Sequence, residues 1–69
     1  MFRVRLVAER ALVNGLPTWF YRAVVERYVV LHDYPYAMWY LFDQSWLYET
    51  VFGAMEAANE LEALYVEKP

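Results

Sequence analysis

The dipeptide Asn14-Gly15, which lies between two alternating segments, constrains the fold more than any other feature. Asn-Gly is the preferred pair for a two-residue type I′ hairpin turn, because both central residues of that turn need a positive φ. If Val13 and Leu16 close the turn, the numbers of opposite residues sum to 29 along the hairpin. This register makes the faces match: Val4 meets Val25, Leu6 meets Ala23, Ala8 meets Tyr21, and Arg10 meets Trp19.

The charges of the hairpin agree with the same register. Arg3 lies opposite Glu26, and Glu9 lies diagonal to Arg22, so opposite charges share one face. A slip of one residue would move every side chain to the other face. Pro17 has no N–H to donate, so we expect it at an edge or an outward-facing position.

Residues 18–31 fit two structures. Pro17 suits the first turn of a helix, and Phe20, Val24, Tyr28 and Leu31 suit a helical face. We favour a strand, because the segment is rich in β-branched valines and its odd positions form an apolar face broken only by Arg27.

The rest of the chain predicts two more strands and a helix. His32 to Pro35 and Asp43 to Ser45 are typical of turns. Alanine, glutamate and an apolar stripe favour a helix at the C-terminal end. We therefore predict a single α+β domain over residues 1–69, a four-stranded, mostly antiparallel meander with one C-terminal helix packed on one face. The strands are expected at about 2–11, 18–31, 36–43 and 46–51, and the helix at about 53–66.

Composition excludes several classes of protein. The 69 residues are 61% hydrophobic and 20% aromatic, which excludes intrinsic disorder. There is no cysteine and a single histidine, so neither disulfides nor structural zinc are expected to reinforce the fold. A core of this size rarely supplies more than about 3–5 kcal/mol, and association is then the common remaining source of stability.

Charge limits the expected partners and location. The net charge is −3, so attraction of the whole molecule to nucleic acid or to an anionic membrane is not expected. Residues 1–32 have a balance of +3, from five Arg against Glu9 and Glu26, while residues 33–69 have a balance of −6, from Lys68 against seven carboxylates. No run of eighteen apolar residues and no signal-peptide pattern is present, so we expect a cytoplasmic protein.

Residues suited to catalysis are scarce. Ser45 and His32 are the only serine and histidine, and Asp33 is adjacent to His32 in sequence, not across a site from it. The carboxylates Asp33, Asp43 and Glu49 suit solvated turns better than a sugar-sized cleft. No glycine-rich phosphate loop occurs. We expect no enzymatic activity, no cofactor, no metal and no small-molecule substrate.

Aromatic residues crowd into positions 34–48. One short helix cannot cover aromatic side chains on both faces of a sheet, and Tyr and Trp are enriched in interfaces. We therefore predict a protein interface with a charged rim. The predicted interface residues are Tyr34, Tyr36, Met38, Tyr40, Trp46 and Tyr48, and the rim residues are Arg3, Arg5, Arg22, Glu56 and Glu60.

These features favour a small non-enzymatic interaction module. Stoichiometric regulators and inhibitors belong to this size class, for example inhibitors of host complexes encoded by phages or mobile elements, such as anti-CRISPR-type proteins, and antitoxin-like partners. A first alternative is a structural homodimer, in which the Arg-rich first half meets the Glu-rich helix of a second copy. A second alternative is a nucleic-acid-associated protein that uses the Arg-rich first hairpin.

Overall fold

The computed structural model describes residues 1–32 and 37–67 as an α+β fold. Strands β1 (Phe2–Val13), β2 (Leu16–Val30) and β3 (Ala37–Gln44) form an antiparallel sheet in the order β1-β2-β3. Helix α1 (Val51–Leu61) follows and continues into a π-helical turn, Glu62–Val66. The predicted antiparallel meander and C-terminal helix are confirmed, but the predicted number of strands is wrong.

The first hairpin has the predicted register. Pairing runs without a break from Phe2 opposite Arg27 to Val13 opposite Leu16. Asn14 has a φ of 51° and Gly15 a φ of 79°, as a type I′ turn requires. Residues 16–30 form one strand, so the helical alternative for this segment is wrong.

A β-bulge interrupts the pairing of β2 with β3. Val25 lies opposite Asp43, but its neighbour Glu26 lies opposite Leu41, so Phe42 is the extra residue. A bulge bends the strand and re-aims the side chains beside it. Here the ring of Phe42 lies 5.0 Å from that of Phe2, centroid to centroid.

The predicted fourth strand, 46–51, is reduced to one bridge. The N–H of Tyr48 donates to the carbonyl of Tyr21 at 2.7 Å, and that of Tyr21 donates to the carbonyl of Tyr48 at 2.8 Å. Two residues later, the Thr50 hydroxyl accepts a bond from the Gly53 N–H at 3.3 Å and caps α1. The helix therefore begins at Val51, because the Thr50 cap starts helical hydrogen bonding where the predicted strand would have continued.

Small side chains bring α1 close to the sheet. Ala54 and Ala57 of the helix are buried, as are Ala23 and Val25 of β2. Strand geometry puts the even residues of β1 and the odd residues of β2 on the face under the helix, which we call the helix-covered face. The opposite face carries Arg3, Arg5, Val24 and Glu26, and we call it the helix-free face.

The π-helical turn is fixed by an aromatic cluster on the helix-covered face. The ring of Tyr65 lies 5.5 Å from Phe2 and 5.7 Å from Phe42. Its hydroxyl donates to Asp43 Oδ2 at 2.8 Å, and this bond to a carboxylate raises the pKa of Tyr65. The cluster joins the two ends of the chain to the bulge of β3.

Candidate protein-interaction surface

The structure brings two of the predicted interface residues together and separates them from the others. Met38 and Tyr40 lie side by side on β3, where the Tyr40 hydroxyl is 3.6 Å from Met38 Sδ, and both are exposed. Trp46 is 84% exposed but follows the end of β3. Tyr40 lies opposite Arg27, and Ser45, next to Trp46, bonds to Ala23. The backbones of Tyr40 and Ser45 are therefore about 13 Å apart along β2, the length of four strand residues.

The remaining predicted interface residues have other outcomes. Tyr48 is half-buried, because its ring packs against Gly53 where the helix begins. Tyr34 and Tyr36 lie outside the described residues. We therefore define the β3 surface as Met38 and Tyr40, which lie on one face of β3, whereas the exposed Leu41 points to the opposite face.

The charged residues predicted as a rim lie instead in two groups. Arg3 Nε and Arg5 Nε both donate to Glu26 Oε1 at 2.8 Å, in the middle of the helix-free face. Arg22 Nη2 donates to Glu9 Oε2 at 3.3 Å on the same face. Arg22 Nε is 3.0 Å from Glu9 Oε1, but its N–H is not aimed at that oxygen, so this contact is an ion pair without a hydrogen bond. Glu56 and Glu60 are exposed on α1.

Side chains of the sheet itself cover the centre of the helix-free face. Glu26 is only 9% exposed and Val24 is buried, although α1 lies on the other side of the sheet. The guanidinium of Arg3 lies 4.0 Å above the ring of Trp39, which in turn packs at 5.1 Å against Tyr28. Arginine stems and an aromatic ring can cover apolar surface while charged heads remain wet. The apolar surface that a partner could cover therefore lies at the ends and edges of the sheet and not at this centre.

The exposed apolar side chains mark those ends and edges. They cluster at the tip of the first hairpin, on β3 and around the start of α1. They include Leu12, Leu16, Trp19, Met38, Tyr40, Leu41, Trp46 and Phe52.

The dimensions of the chain also show that it exposes more surface than a compact monomer of its size. It measures 46 × 28 × 11 Å, with a radius of gyration of 14.6 Å, against about 11 Å for a compact chain of this length. Its accessible surface is 5587 Å², against roughly 4,600 Å² expected for a folded monomer of 8.3 kDa. The difference is close to the roughly 800 Å² that one partner buries in a standard protein interface.

Groups suited to chemistry are engaged in structure where the chain is described. Ser45 Oγ accepts from the Ala23 N–H at 2.9 Å and donates to the Trp46 carbonyl at 2.8 Å. Among residues 1–32 and 37–67, no three His, Asp or Glu side chains are close enough together to hold a metal ion. No helix in the same ranges is long and apolar enough to cross a membrane.

Comparison of the chain with protein-family models, curated proteins and solved structures finds no match.

The ion-pair group on the helix-free face makes stability depend on pH. The hydrogen bond from Arg3, aided by that from Arg5, holds the pKa of Glu26 below its ordinary value of 4.5, although burial acts in the opposite direction. The unfolded chain therefore binds a proton more readily than the folded one. The stabilisation is complete above the ordinary pKa and is lost as the pH falls through the lowered, folded-state pKa.

We expect Glu26→Gln to lower the free energy of unfolding at neutral pH, and the gap to wild type to narrow as the pH falls below 4.5. Urea unfolding at a series of pH values measures this gap. Glu56→Gln, on the exposed side of α1, is the control and should change stability little at neutral pH. A Glu26→Gln gap that stays constant into strong acid would contradict the account.

Proposed function

We propose that this chain is a non-enzymatic protein-interaction module that binds a protein partner through the β3 surface. The observation that carries the proposal is the accessible surface, which exceeds that of a compact monomer by about the area of one side of an interface. Single exposed apolar residues are normal, whereas a contiguous group is typical of a contact site.

The residue types of the β3 surface support the same proposal. Tyrosine offers a large, rigid contact area with a polar end, and methionine adapts its shape to a partner. Neither residue is needed in the core, because the sheet beneath α1 is filled by Ala23 and Val25 with Ala54 and Ala57. A role as a cytoplasmic stoichiometric regulator or inhibitor, of the kind that phages and mobile elements encode, fits such a surface.

The nucleic-acid alternative has weaker support. Arg3 and Arg5 share the carboxylate of Glu26, and Arg22 is paired with Glu9. Binding to phosphates would have to compete with these contacts. A protein partner is therefore the better proposal.

A matched pair of methionine variants tests the β3 surface. Met38 on β3 and Met55 on α1 are 49% and 45% exposed, so glutamate at either position changes a similar area. Each form is immobilised and exposed to a lysate of the source cells, and the retained proteins other than this chain itself are measured. We expect wild type and Met55→Glu to retain a protein in equimolar amount, and Met38→Glu to retain about tenfold less or lower still.

Two results would overturn the proposal. One is retention by wild type of no protein other than this chain above the level of bare resin. The other is equal retention by Met38→Glu and Met55→Glu. Circular dichroism of both variants checks that each has kept the fold.

A further inference from the structure

The outer edge of β1 is unusually open to pairing. β1 has 12 residues and is the first strand in the order β1-β2-β3, and within residues 1–32 and 37–67 nothing pairs with its outer side. Natural edge strands are commonly blocked by proline, charged side chains (lysine above all), a bulge or short length. β1 contains no proline or lysine, its four charged residues are of both signs, and its pairing with β2 runs without a bulge. The opposite edge, β3, has 8 residues and is bent at Phe42.

The register fixes which backbone groups point outward from β1. The Tyr28 N–H donates to the Met1 carbonyl at 2.9 Å, so Met1 and Tyr28 form a hydrogen-bonded pair. Such pairs alternate along an antiparallel ladder, so the odd residues of β1 bond to β2. Tyr21 and Ala23, odd residues of β2, bond on its other side, as the alternation requires. The outward-pointing residues are therefore Phe2, Val4, Leu6, Ala8, Arg10 and Leu12.

We propose that a second copy of this chain binds here, β1 against β1 in antiparallel orientation about a twofold axis. The result is one sheet of six strands, three from each copy. A twofold interface is self-complementary, so a single surface patch must satisfy itself. The outward edge of β1 meets that condition in one register.

That register is centred on Val7. It pairs every outward-pointing residue of β1 with an outward-pointing residue of the second copy: Phe2 with Leu12, Val4 with Arg10 and Leu6 with Ala8. A twofold register centred on Leu6 leaves Leu12 unpaired, and one centred on Arg5 places two arginines opposite each other. The Val7 register therefore forms the most backbone bonds and opposes no like charges.

Charge complementarity supports the same register. Arg5 shares the Glu26 carboxylate with Arg3, so two guanidinium groups face one carboxylate. In the Val7 register Arg5 lies opposite Glu9 of the second copy, at a non-hydrogen-bonded position where side chains approach closely. The Arg5 side chain is 57% exposed and that of Glu9 is 45% exposed, so both can make this contact.

This inference goes beyond the proposed function, because the β3 surface lies at the other edge of the sheet. In the dimer the strand order is β3-β2-β1-β1-β2-β3, and a β3 surface lies at each end. The dimer therefore presents two partner-binding surfaces, which raises the avidity for a partner with repeated sites.

Paired proline variants test the edge. Ala8 on β1 and Ala37 on β3 both have outward-pointing N–H groups, so proline removes no bond to β2 at either position. By sedimentation at micromolar concentrations we expect wild type and Ala37→Pro to have twice the monomer mass of 8.3 kDa. Ala8→Pro should raise the dimer dissociation constant about tenfold or more.

Paired charge variants test the register without altering the backbone. Glu9→Arg and Arg22→Glu both remove the Glu9–Arg22 ion pair, but only Glu9→Arg places like charge against Arg5 of the second copy. We expect Glu9→Arg to dissociate the dimer and Arg22→Glu to retain it. Circular dichroism establishes that each variant is folded.

A wild-type chain that stays at 8.3 kDa up to high micromolar concentration would overturn the dimer. A dimer that persists in both Ala8→Pro and Glu9→Arg would overturn the β1 interface. In either case, loss of capture by Met38→Glu but not by Met55→Glu would still support the proposed function, so the two failures are distinguishable.

Discussion

Replacing Val25 with alanine is expected to lower the free energy of unfolding by about 2 kcal/mol, from lost burial and the cavity left behind. Val25 is the largest side chain that is fully buried among the described residues, where the core otherwise consists mainly of alanine. It lies between Val4 on one neighbouring strand and Asp43 on the other. A core of this size supplies only about 3–5 kcal/mol, so one substitution removes a large share of it.

Thermal unfolding measures the effect of Val25→Ala. A loss of about 2 kcal/mol corresponds to a fall of roughly 8–16 °C in the midpoint for a domain this small. Val30→Ala, the same change at an exposed position of β2, is the control. Protein concentration must be equal in all samples, because association contributes to apparent stability. Equal shifts for both variants would show that Val25 is not the centre of the core.

Replacing Gly53 with alanine is expected to destabilise the protein by about 1–3 kcal/mol, the usual effect of overpacking. Within a helix, the same change ordinarily stabilises by about 0.5–1 kcal/mol. Here a Cβ atom at Gly53 would lie 2.7 Å from Tyr48 Cδ1 and 2.9 Å from Cγ. The Tyr48 ring cannot easily move away, because the N–H and the carbonyl of Tyr48 are both hydrogen-bonded to Tyr21.

The Tyr48→Ala variant separates the close contact from helix propensity. With the ring removed, Gly53→Ala should become neutral or stabilising, by up to about 1 kcal/mol. Urea unfolding of the four forms gives the interaction energy directly. If Gly53→Ala destabilises equally with and without the ring, the contact with Tyr48 is not the cause.

The first hairpin could be predicted from sequence because its information is local. Asn14-Gly15 fixes the turn, and period-two alternation on both sides fixes the register. The contacts of Arg3 with Glu26 and of Glu9 with Arg22 followed from that register alone. Sheet pairing next to a tight turn requires no knowledge of distant parts of the chain.

The errors in the predicted strands arise where distant or competing contacts determine the local structure. Thr50 before a helix-forming segment is a capping signal, and it outweighs the strand pattern of residues 46–51. The bulge at Phe42 has no local signal, because it depends on the meeting of Phe2, Phe42 and Tyr65 from three parts of the chain. A uniform alternation therefore predicted the wrong extent for the sheet.

The candidate surface was predictable only in part. Alternation alone placed Met38 and Tyr40 on one side of β3, and the structure brings them into contact. It could not reveal that Arg3 lies over Trp39 and seals the helix-free face, because that contact joins the two outer strands. The open edge of β1 depends on strand order, which local patterns do not determine.

Hydrogen exchange of the β1 amides tests most directly the central claim that this chain completes its sheet against another copy. In the dimer we expect slow exchange at Val4, Leu6, Ala8 and Arg10, comparable to that of their odd-numbered neighbours. The outward-pointing amides of Trp39 and Leu41 on β3 should exchange fast in the same sample. Fast exchange at the even positions of β1, with protection confined to the odd positions, would contradict that claim.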